Sequence, residues 1–269
     1  MGGEYVSGEN DDSSGNIIKA SFHPMSSSHV VMLIKRYFLL IDISNSNGDV
    51  QVFPLGVKDN FVSYCFGPSI DWMKFSIFLL SDRKCENAEV FCLCPVIPKD
   101  IPILKSSVRD LWAWVDEQYV FQDDQKSSGG NYFDRVGQYI TAAFGPRNLL
   151  EKENDGRKIS PSSFIRVGEY ASNSGNLYIE MEGVFSATPD LQGPFFMTEN
   201  CSEKNLELVP NSPENIPQNI PQKQKQKVKR IATDIATPIT RGEGAPVLAI
   251  SFDNGDVDLL IIRSEVMKQ

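Results

Sequence analysis

ASFHP, Ala20 to Pro24, returns as YCFGP, Tyr64 to Pro68, 44 residues further along the chain. Each copy introduces the same order of segments: HVVMLI and YFLLIDIS follow the first, KFSIFLLSDR and AEVFCLCPVIP the second. A self-similar unit of this length matches one four-stranded β-propeller blade, which buries its faces only by stacking on neighbours. The pair therefore predicts a scaffold of repeated blades.

The segments around the pair agree. IIKASF alternates toward the His23-Pro24 turn, SNSNGD from Ser44 to Asp49 is a strong turn signal, and VQVFPLG closes the first unit. The second unit starts at Phe61 and places Asp71-Trp72 where the first has Ser26 to Ser28; Pro95 and Pro98 end its strand pattern. Continuous rather than alternating apolar runs predict strands covered on both faces, as in a blade between two others.

Between Lys105 and Pro146 the period changes. Val108, Leu111, Trp112, Val115 and Tyr119 fall on one helical face, and Ser107 with Asp110 reads as a capping box. A second helix is expected from Asn131 to Phe144, closed by Gly145-Pro146. Trp112 is assigned to packing, while Trp114, off the apolar face, is the expected exposed contact. Strands resume at SFIRVGEY and NLYIEMEGVF, and the Asp253-Asn254-Gly255-Asp256 turn marks a final hairpin.

Two segments are expected to be disordered: the polar N-terminus, 1–16, and the Pro/Lys/Gln-rich loop 201–230. The remainder, 17–269, reads as one partial β-propeller with a helical insertion over 105–146.

With 269 residues, 41% hydrophobic and 23% charged, the composition is that of a globular protein. The net charge of -9 argues against general nucleic-acid binding, which needs a Lys/Arg excess to displace counterions. No apolar stretch reaches the roughly 20 residues of a membrane span. Five scattered cysteines, of which only Cys92 and Cys94 lie close together, read as buried packing residues in a reducing compartment. With Cys65, Cys85, Cys201, His23 and His29 they offer no metal-ligand spacing.

No phosphate-binding loop, nucleophile elbow or metalloprotease motif is present. His23 and His29 sit at strand ends and read as turn residues rather than general bases. Asp123-Asp124 lack the fixed separation that glycoside hydrolysis needs and read as solvated acids. The basic run KQKQKVKR, Lys223 to Arg230, reads as a solvated linker, its functional alternative being nuclear import or polyanion binding. No catalytic, cofactor-binding or metal residue is therefore nominated, and the chain reads as a non-enzyme.

Three stretches carry a more specific signal. Lys19 through Leu33, Asp71 through Leu79 and Val90 through Pro98 resemble the K-A-S-x-x-H-P, D-W-x-x-F-S and L-C-P-V/I-V/I-P motifs of the nucleoporin-eighty-eight family, called nucleoporin-eighty-two in yeast. LQGPFF from Leu191 and the closing PVLAISFDNGDVDLLI extend the resemblance from about Ile17 to Met267. It implies an all-β, WD40-like propeller with a helical insertion, present here as roughly four blades of a seven-bladed ring. It also implies a non-enzymatic scaffold at the cytoplasmic face of the nuclear pore complex, supporting mRNA and protein transport. The implied partners are an autoproteolytic-domain FG nucleoporin and the tail of a cytoplasmic FG nucleoporin; the implied binding loops map to no individual residue here. A generic propeller adaptor in trafficking or ubiquitin transfer is the competing class. A partial propeller is expected to expose apolar blade faces, through a truncated gene model or because a partner covers them.

Overall fold

The structure, a computed structural model, describes residues 16–44, 50–55, 60–83, 87–122, 130–145, 147, 164–167, 191–199, 201–206, 224–238 and 246–262. The first unit forms an antiparallel meander of β1 (Ile17–Phe22), β2 (His29–Ile34), β3 (Tyr37–Asp42) and β4 (Val50–Pro54). Pro54 ends the edge strand, where its missing N–H removes no ladder bond to a further strand.

The second unit begins in the same way, with β5 (Phe61–Phe66), β6 (Ile77–Arg83) and β7 (Asn87–Leu93). Its fourth strand arrives from far downstream: β10 (Gln192–Glu199), which begins with most of the LQGPFF stretch, pairs with β7 to give the order β10-β7-β6-β5. Between them lie β8 (Pro102–Leu104), paired with β9 (Phe164–Arg166), and helices α1 (Lys105–Gln122) and α2 (Gly130–Phe144). The predicted helical insertion thus separates the third and fourth strands of one blade. A third sheet follows, β13 (Ala232–Ala236), β14 (Val247–Phe252) and β15 (Val257–Ile261), with Gly255 at φ 85 in the hairpin turn.

β11 (Cys201–Leu206) and β12 (Gln224–Lys229) form an antiparallel pair. This corrects the disordered reading of 201–230 at both ends of that segment. Composition counts apolar burial alone, whereas an antiparallel ladder satisfies backbone donors and acceptors whatever the side chains. The middle of the segment, 207–223, lies outside the described residues, as does the N-terminus up to residue 15.

Two cores result, one on each face of the second blade. Between the first and second blades lie Val31, Leu33, Phe38, Leu40 and Phe53 from one side, and Phe61, Tyr64, Ile77, Leu79, Phe91 and Leu93 from the other. On the opposite face Cys65, Phe78, Leu80, Val90 and Cys92 meet Val108, Leu111, Trp114 and Val115 of α1, Ile140 and Phe144 of α2, and Leu248, Ile250 and Phe252 of the third sheet. The continuous apolar runs of the second unit have the environment their pattern predicts. The first unit differs: β2 alternates between buried and half-buried positions, and the described residues cover only one face of its blade. The architecture is all-β with a helical insertion, in the open arrangement of a partial β-propeller.

Candidate functional site

The repeated pentapeptide occupies equivalent positions in the two blades. In the first, the His23 N–H donates to the His29 carbonyl (2.9 Å); in the second, the Gly67 N–H donates to the Ser76 carbonyl (2.9 Å). Both bonds close the loop between a blade's first and second strands. The second loop holds a short 3-10 helix, Asp71–Phe75, which buries Trp72, Met73 and Phe75. Gly67 is required there because a Cβ would overlap the Met73 carbonyl oxygen and the Ser76 hydroxyl.

The first strands of the three sheets, β1, β5 and β13, converge along one line. Lys19 of β1 donates to Asp234 of β13 (2.7 Å) and to Ser63 of β5 (2.9 Å), and Ser63 donates in turn to Asp234. Beside them the Tyr64 hydroxyl accepts from Ser21 (2.8 Å) and donates to the Val31 carbonyl (3.2 Å), while Thr237 donates to the Phe66 carbonyl (2.6 Å). Burial alone would raise the Asp234 carboxyl; the bonds from Lys19 and Ser63, with the Lys19 charge, outweigh it and hold the group below the usual carboxylate range. Lys19, Ser21, Tyr64, Phe66, Asp234 and Thr237 line an open groove of about 630 Å³. With a half-exposed ion pair, hydroxyls and aromatic edges on rigid strands, it suits contact with polypeptide.

The histidines are structural. His23 is buried, receives the Met25 N–H on Nδ1 (3.2 Å) and meets the Phe66 ring edge-on at 5.3 Å. Burial pushes its pKa down to about 4, against a backbone hydrogen bond at Val96 that raises it and the nearby His29, which lowers it. His29 is shifted down by burial too, and its Nδ1 lies 2.8 Å from the Ser26 hydroxyl.

Cys65, Cys92 and Cys94 are free and buried. Burial raises the Cys65 thiol to about 11, against a pull from the Thr237 hydroxyl, and raises Cys92 and Cys94 further. Such thiols act as packing groups, as the sequence predicts. No group of three or more metal-ligand side chains occurs among the described residues, and no described helix is long and apolar enough to cross a membrane.

One tryptophan assignment is corrected. Trp114, read as the exposed one, is 4% exposed and stacks on Trp72 with ring centroids 4.5 Å apart. Trp112 is half-buried, its ring lying where a Cβ on Gly137 of α2 would meet it at 3.6 Å. Helix α1 is therefore packed on two sides, by α2 and by the 3-10 helix, and a one-face periodicity shows only the first. The capping-box reading is corrected as well: α1 begins at Lys105, and Ser107 and Asp110 both receive the Lys74 ammonium, each at 3.0 Å.

The basic run also ends differently from its reading. Arg230 is buried, makes a two-pronged pair with Asp258 (2.9 and 2.6 Å) and covers the Phe252 ring at 3.9 Å. Asp123-Asp124 lie outside the described residues.

The fold and the axial convergence of first strands define the class: a β-propeller-type arrangement of sheets, open among the described residues. No protein-family model and no curated protein matches the sequence. Among solved structures, the chain is similar to a chain of the yeast heterotrimeric Nup82-Nup159-Nup116 nucleoporin complex, at 17% identity and a TM-score of 0.52, over 92% of this chain and 46% of that one. It is also similar to a chain of the Chaetomium thermophilum heterotrimeric Nup82 NTD-Nup159 TAIL-Nup145N APD complex, at 11% identity and a TM-score of 0.50, with the same two coverages, 92% and 46%. The chain thus spans about half the length of the solved chains it matches. At these identities the likeness establishes the fold, that of the Nup82-like propellers.

Proposed function

We infer that this chain is a scaffold nucleoporin that binds other nucleoporins at the nuclear pore complex. The observation that carries the reading is the fold shared, over nearly the whole chain, with members of two heterotrimeric nucleoporin complexes. The motif resemblance at Lys19 to Leu33, Asp71 to Leu79 and Val90 to Pro98 supports it independently of overall shape. Its finer form places the chain at the cytoplasmic face of the pore, where it holds an FG nucleoporin with an autoproteolytic domain and the tail of a cytoplasmic FG nucleoporin. In that position it serves mRNA export and protein transport without catalysing a reaction.

Affinity purification of the tagged chain from nucleated cells, with fluorescence at the nuclear envelope as a second readout, tests this. Nucleoporins should dominate the recovered proteins and the signal should trace the nuclear rim. Recovery of trafficking or ubiquitin-transfer components in their place, with a diffuse signal, would sink the reading in favour of a generic adaptor.

A further inference from the structure

We draw no further inference here: the strongest candidate, the open groove on the axis between the first strands of the three sheets, lined by Lys19, Tyr64, Asp234 and Thr237, ends at Pro238, where the described residues stop, and nothing in the structure shows what occupies it.

Discussion

At the scale of single residues, the two copies of the pentapeptide solve one problem with different side chains. Where His23 stands in the first blade, the second has Gly67, because its loop folds back as a 3-10 helix onto the backbone at that point. Gly67→Ala should destabilise the chain by about 2 kcal/mol through overpacking, measured by denaturant unfolding. His23 makes stability depend on pH. Its folded pKa of about 4 lies below the unfolded value of 6.5, so between these the unfolded chain takes up a proton that the folded chain refuses. Stability is therefore complete above 6.5 and declines toward pH 4, by about 3 kcal/mol across the window. His23→Asn, whose amide oxygen can still accept the Met25 N–H, should flatten that slope in unfolding experiments across the window. Arg230→Lys retains the charge and loses the two-pronged geometry with Asp258 and the cover over Phe252; it should cost about 2 kcal/mol, read as a lower denaturation midpoint.

At the scale of elements, the insertion is held to the second blade by aromatic contact rather than by its connections. The Trp72–Trp114 stack joins α1 to the loop of the YCFGP repeat, and Lys74 bridges the same two elements through Ser107 and Asp110. Trp114→Ala should cost about 3–5 kcal/mol, whereas Trp112→Ala, which removes a half-buried ring, should cost clearly less. Thermal unfolding of both variants ranks them; equal effects would contradict the two-sided packing of α1. β10 shows how far the chain can travel before completing an element. It takes the edge of the blade begun by β5, and its Gly193-Pro194 sits in the irregular stretch of the ladder between Gln192 and Phe196. An edge position tolerates that proline because only one side of the strand is paired.

At the scale of the whole molecule, the blade repeat, the two helices and the last hairpin were legible before any coordinates. Each is written in a local period: an offset near forty residues, a helical spacing from Val108 to Tyr119, and a turn at Asp253 to Asp256 that needs a glycine at positive φ. The axial cluster was not legible. Lys19, Ser63 and Asp234 are separated by 44 and 171 residues and share no motif, so only the convergence of three first strands brings them together. Trp114 was misread for a related reason, since helical periodicity reports one buried face and says nothing of a second neighbour.

The sequence by itself determined the architecture: repeated strands, apolar enough to be covered on both faces, interrupted by helices and free of recognisable catalytic motifs. The tertiary structure alone decided which faces are covered. HVVMLI and KFSIFLLS carry the same apolar signal, yet among the described residues the second blade lies between two cores and the first is buried on one side only. An apolar run records that a side chain favours leaving water; the identity of the surface that receives it is a long-range property of packing.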